Sequence, residues 1–238
     1  MRMVPLSVIL GPALLFASAG SGSLEDAEKA IIERFATIRS CVATVTTLET
    51  DGSGPSSAKS ESTRRIEWVR KGSGFLYRAE SASRTTRTHS NESVALEAGA
   101  TTVSDGVSVV TLADRNGQKT AIKRKADVTH TPDIRALLDA LRNDQELRRL
   151  PDVKVGLDEC FAIQGIPKNR ADSDIGQTVI YFRKDIGLDV RTVAYDKKNE
   201  PVYTSSTTDI RINVDLPPDR FRVVIPDGVE LVDQTKKP

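Results

Sequence analysis

From Arg39 onward, runs rich in Val, Thr, Ile and aromatic residues alternate with short clusters of Gly, Ser, Asn and Asp. That texture predicts successive antiparallel strands, because β-branched and aromatic side chains suit a pleated surface and the intervening residues suit turns. The clearest runs are "VATVTTL", "RRIEWVRK", "GFLYRAE", "VSVVTLA" and "KTAIKRK", the last two joined through "DRNG", where Asn116-Gly117 supplies a hairpin turn. After an interruption come "ECFAIQGI", "QTVIYFRK", "LDVRTVAYD", "PVYTSSTTDIRINV", "FRVVI" and "VELVD". Turns at Asp185-Gly187 and Lys197-Asn199 keep neighbours adjacent, so a meander is expected.

Two stretches carry helical spacing instead. Ser23 with Asp26 three residues on makes a capping-box start, and Leu24, Ala27, Ile31, Phe35 and Ile38 then recur on one stripe. The interruption after Lys125 predicts the second helix: Thr131 as cap, Pro132 at the first helical position, and Ile134, Leu137, Leu138 and Leu141 on one face. A long antiparallel sheet with two amphipathic helices buries one face beneath them, which gives a mainly β (α+β) fold. With no low-complexity linker and no internal repeat, residues 23–238 read as a single domain.

Thirty-four basic residues against thirty-three acidic ones leave a formal charge of +1, so no polycationic footprint points to nucleic acid. At the N-terminus Arg2 precedes the uncharged run "VPLSVILGPALLFASA", which ends in Ala17-Ser18-Ala19, a small-x-small cleavage site. Residues 1–19 therefore read as a signal peptide, with an uncleaved anchor as the alternative; the run is short and broken by Gly11-Pro12. Export to the periplasm follows, without a transmembrane span once the signal is removed.

Cys41 and Cys160 are the two cysteines. An oxidising compartment permits a bridge between them, and two separate half-buried thiols are the alternative. His89 and His130 stand without Cys or carboxylate at metal spacing, and the chain has no nucleophile elbow, P-loop or dinucleotide fingerprint. The sequence thus predicts no metal, no cofactor and no catalytic constellation.

The C-terminal "DRFRVVIPDGVELVD" resembles the closing strands of the LolA-type outer-membrane lipoprotein carriers, through Phe221, Val223, Pro226, Gly228, Val229 and Val232, followed by Asp233. Three further segments fall in the family's order: "DGSG" at Asp51 to Gly54, "IEWVRK" at Ile66 to Lys71, and "VSDGVSV" at Val103 to Val109. The resemblance implies an antiparallel half-barrel with lid helices over an apolar cavity. It also implies a monomeric, non-enzymatic carrier that holds lipoprotein acyl chains or another lipid, served by inner- and outer-membrane partner proteins. Such a carrier must cover acyl chains, since each exposed methylene costs about 0.8 kcal/mol relative to burial.

The candidate cavity residues are Trp68, Phe75, Tyr77, Val109, Leu112, Ile180 and Phe182, each of which reads more readily as ordinary sheet core. Arg70 and Lys71 are the candidate lid contacts. Lys71 and Gly72 stand where the carriers have arginine and proline, and a lysine lacks the planar fork of arginine. Few aromatic residues and many Ser and Thr predict a smaller or more polar pocket. The alternative function is a sensor or protein-interaction module, similar to the periplasmic regulators of anti-sigma factors on the same half-barrel. Those regulators usually carry an additional C-terminal domain, and the sequence stops at Pro238.

Overall fold

The computed structural model describes residues 22–51, 56–72, 74–89, 92–115, 117–126 and 132–235. The expected signal segment, Gly52 to Gly54 of "DGSG", Asn116, His130 and Thr131 lie outside the described residues. Among the described residues, no helix is long and apolar enough to cross a membrane.

One sheet runs through the molecule in the order β12-β6-β5-β4-β3-β2-β1-β11-β10-β9-β8-β7. It joins two meanders. The first comprises β1 (Ser40–Asp51), β2 (Ser56–Lys71), β3 (Gly74–His89), β4 (Glu92–Ser104), β5 (Ser108–Arg115) and β6 (Gln118–Lys125). The second comprises β7 (Gln145–Val155), β8 (Asp158–Pro167), β9 (Ile175–Arg183), β10 (Asp189–Asp196) and β11 (Pro201–Ile212), with β11 pairing back onto β1. All these pairings are antiparallel, in one open, curved sheet with both helices on its inner face. Only the short β12 (Leu231–Asp233) is parallel, against β6.

α1 (Leu24–Ala36) begins at the expected capping box, in which the Ser23 hydroxyl accepts from the Asp26 N–H and the Asp26 carboxylate from the Ser23 N–H. Its buried stripe includes Ile31 and Phe35, with Ile38 just beyond. α2 (Ile134–Asp144) starts two residues later than predicted. Asp133, not Thr131, is the cap, accepting from the N–H groups of Arg135 and Ala136. Pro132 consequently precedes the helix, where the restriction it imposes on its neighbours is harmless. The helices close on one core with β1–β3 and β8–β9: Ile31, Phe35, Ile38, Trp68, Phe75, Tyr77, Leu138, Ile163, Ile180 and Phe182 all belong to it.

Three readings are corrected. "FRVVI" is not a strand: the chain forms a 3-10 turn at Pro218–Phe221, and residues 222–225 pair with nothing in the sheet. β4 and β7 are strands that the sequence reading does not anticipate; β7 hides behind Arg148, Arg149 and Pro151, which an edge strand tolerates. The bridged alternative for the cysteines is also overturned, since both thiols are free and buried. Three strands separate β1 from β8, roughly 19 Å along the sheet. Cys41 shares the inner face with Ala43, whereas Cys160 pairs with Arg183 on the outer one. A disulfide needs Cα atoms within about 7 Å. Burial pushes the Cys41 thiol up to about 12 and the Cys160 thiol up to about 11, so both are inert.

Candidate functional site

Strand alternation decides what faces the helices. Cross-strand partners share a face, so the row Cys41, Trp68, Tyr77, Ser104 and Val109 lies on the inner side, followed by Ala43, Ile66, Ala79, Thr102 and Thr111. Beyond them the inner face turns to hydroxyls. Ser62, Ser83 and Thr47 form one row, and Ser60 and Thr85 bond to each other in the next at 3.2 Å. The apolar end is thus confined to the part of the trough that the helices cover.

There an aromatic trio forms the floor. Trp68 meets Phe75 edge-on with ring centroids 5.4 Å apart, and Phe35 of α1 lies 5.6 Å from Trp68. Arg70, two residues from Trp68 and on its face, stacks over Phe75 at 4.8 Å and Phe35 at 5.6 Å and donates to the Ile38 carbonyl at 3.4 Å. Of the two lid-contact candidates, Arg70 is the one that touches α1. Lys71 ends β2 as an exposed side chain.

Beside the trio a cavity of about 410 Å³ opens between α2 and strands β1, β2, β3, β10 and β11. Trp68, Tyr77, Phe35, Ile66 and Leu188 give it apolar walls, and Ile134, Ala136, Leu137 and Ala140 of α2 form its roof. The roof is held by buried Ile134 and Leu138 and by an ion pair from Arg142 to Glu28 of α1. Lys168 donates to the Arg142 carbonyl at 2.6 Å and fixes the same end. Burial raises the Glu28 pKa even though Arg142 opposes it.

The wall opposite is polar. Arg64, Asp189, Thr192, Tyr203, Ser205 and Thr207 all face the cavity. Asp189 is there because of a bulge. It pairs with Phe182 while Arg191 pairs with Tyr181, so Val190 is the extra residue. Simple alternation back from inward-facing Thr192 would have turned Asp189 out; the bulge brings it in opposite Phe182. The turn before it is pressed onto α1 at Gly187, whose φ is +69° and where a Cβ would stand 2.3 Å from the Ile31 carbonyl oxygen. Glycine is required on both counts. Asp189 is half-buried; burial raises its carboxyl pKa, while a hydrogen bond from its own backbone N–H and the Arg64 charge act the other way. Burial and Arg64 oppose each other in the same way at the Tyr77 hydroxyl.

The sequence candidates are distributed as follows. Trp68 and Tyr77 line the cavity. Phe75, Ile180 and Phe182 belong to the filled core beside it, with Phe182 fully buried. Val109 is buried further across the same face, and Leu112, pairing with Thr101 and Ala121, lies on the outer face. Sequence reasoning expected a more polar pocket but did not place the polar wall. The alternation of Tyr203, Ser205 and Thr207 in "YTSSTTD" was the available signal.

The outer face carries a larger and more open depression of about 860 Å³, lined by Thr46, Leu48, Glu61, Thr63, Ala82 and Arg84, and its other end is covered. There the C-terminal segment lies across β2 and β3, with Phe221 buried and Arg220 donating to Glu67 at 2.7 and 3.0 Å. Arg65 adds a third bond at 3.0 Å, and Arg78 donates to the Arg220 carbonyl at 3.1 Å.

No family model and no curated protein matches the sequence. Among solved structures, the chain shares its fold with an uncharacterized conserved protein from Thermus thermophilus, at 13% identity and a TM-score of 0.53, over 87% of this chain and 98% of that one. An outer membrane lipoprotein-sorting protein domain from Vibrio parahaemolyticus matches at 12% identity and a TM-score of 0.37, over 83% and 96%. The MucA/MucB complex of Pseudomonas aeruginosa matches at 13% identity and a TM-score of 0.43, over 84% of this chain and 61% of that one. At 13% identity the likeness to the Thermus protein is one of fold alone.

Proposed function

We propose that this protein is an exported, non-enzymatic binding or carrier protein that holds the apolar part of a lipid or lipidated protein beneath α2. The observation that carries this reading is the cavity of about 410 Å³ between the aromatic trio and the α2 roof. Its size lies within the range of about 300–1,000 Å³ usual for small-molecule sites. Apolar floor and roof offer an acyl chain the burial it lacks in water, at about 0.8 kcal/mol per methylene. The signal-like N-terminus supports a periplasmic location.

Saturable binding of a fluorescent acyl probe tests the reading, with Trp68, the single tryptophan and a wall residue, as an intrinsic reporter of occupancy. Tyr77→Asp is expected to abolish binding, because an unpaired charge in an apolar site is costly to desolvate. Ala136→Trp, which fills the cavity from the roof, is expected to do the same with β-type circular dichroism unchanged. A folded protein that binds no probe sinks the proposal and leaves the protein-interaction module in its place.

A further inference from the structure

The polar wall is out of place in a site built only for hydrocarbon. Burying a polar group without a hydrogen bond costs free energy, and folded chains normally avoid it. Here the exposed Arg64 and the half-buried Asp189, Thr192, Tyr203, Ser205 and Thr207 face the opening, where solvent or a ligand can meet them. Arg64 and Asp189 do not pair even with each other, although both face the cavity. Elsewhere on the inner face some hydroxyls bond to one another or to the backbone: Ser60 to Thr85, Thr102 to Thr111, and Ser81 and Ser83 to carbonyls. The wall differs in gathering six polar side chains around one opening. The bulge that turns Asp189 inward sharpens the difference, since bulges re-aim side chains near sites.

We infer that the cavity selects a single-chain amphiphile with an uncharged, hydroxyl-bearing head, the tail on the aromatic floor and the head on the wall from Arg64 to Asp189. This rests on the lipid-binding reading above and specifies its ligand. One chain is set by volume, because about 410 Å³ is at the small end of ligand cavities and does not hold the three acyl chains of a triacylated protein. The head follows from the wall's inventory. Arg64 only donates, an ionised Asp189 only accepts, and the four hydroxyls do both. A hydroxylated head supplies both roles. A carboxylate head sets like charge against Asp189, and a quaternary ammonium sets it against Arg64 and offers no donor.

The test titrates the full chain with three amphiphiles of equal chain length, a monoacylglycerol, a free fatty acid and an alkyltrimethylammonium, following Trp68 fluorescence. The monoacylglycerol is expected to bind about tenfold tighter than either charged analogue, the difference expected of one well-placed hydrogen bond to a charged group. Asp189→Val is expected to erase about tenfold of that affinity while leaving fatty-acid binding undiminished. Thr207→Val, a nearly isosteric change that keeps the fold, is expected to weaken monoacylglycerol alone by about threefold. Equal affinity for all three, or preference for a charged head, overturns the inference and leaves the lipid-binding reading standing. No Trp68 response to any of them overturns both.

Discussion

Glu67 on the outer face and Asp189 on the inner face are both carboxylates withdrawn from bulk water, and the fold surrounds them in opposite ways. Glu67 accepts two bonds from Arg220 and one from Arg65. Burial alone pushes its pKa up, but these arginines outweigh it and hold it below the usual carboxylate value. Asp189 has no arginine bonded to it, only its own backbone N–H, so burial prevails and its pKa rises. A buried charge paired across the fold fastens one segment to another. One without an ion pair carries a cost that a ligand can relieve.

The largest expected effect lies on the fastened side. Phe221→Ala removes the buried ring that seats the C-terminal segment and is expected to cost about 3 kcal/mol in denaturant unfolding. Arg220→Ala follows, at about 1 kcal/mol, because its side chain is 41% exposed and solvent screens the pair. A loss of nothing in both variants would dissolve the contrast between the two faces.

On the open side the sign reverses. Asp189→Asn is expected to raise stability at neutral pH by about 0.5–2 kcal/mol, the range common for single stabilising substitutions. The gain depends on pH. Asp189 has a raised folded pKa, so its penalty is full above that pKa, fades as pH falls through it, and is gone below the unfolded value of 3.8. The contribution of Glu67 runs the other way: it is present above its unfolded value of 4.5 and lost as pH falls through its depressed folded pKa. Melting curves of wild type and Asp189→Asn from pH 7 downward should therefore converge, while Arg220→Ala and wild type converge only at lower pH. Smallest is Leu137→Ala on the cavity roof, expected to change stability by less than about 1 kcal/mol because the residue already borders open space. A loss as large as that of Phe221→Ala would mean that the cavity is filled core.

The resemblance at the C-terminus and the physical account of that segment differ instructively. "FRVVIPDGVELV" has the composition of paired strands, but Pro217-Pro218 and Pro226 deny it a continuous ladder. It crosses the outer face as a strap and pairs only at Leu231–Asp233. The side chain that matters there is Arg220, whose contribution depends on Glu67, 153 positions away.

What the sequence determined by itself is whatever has a short period or a local partner. The capping box at Ser23 and Asp26, the stripe of Ile31 and Phe35, the hairpin series, and the placing of Trp68 and Tyr77 on one face through their own strands all belong here. Each signal is complete within a few residues, because helix caps and strand alternation are set by neighbours in the chain. The tertiary structure alone decided that Cys41 and Cys160 stand on opposite faces, that Arg70 rather than Lys71 reaches the helix, and that Asp189 faces inward. A one-residue bulge inverts every side chain on its near side, and only the pairing with β9 and the close approach of Gly187 to α1 fix where that bulge falls.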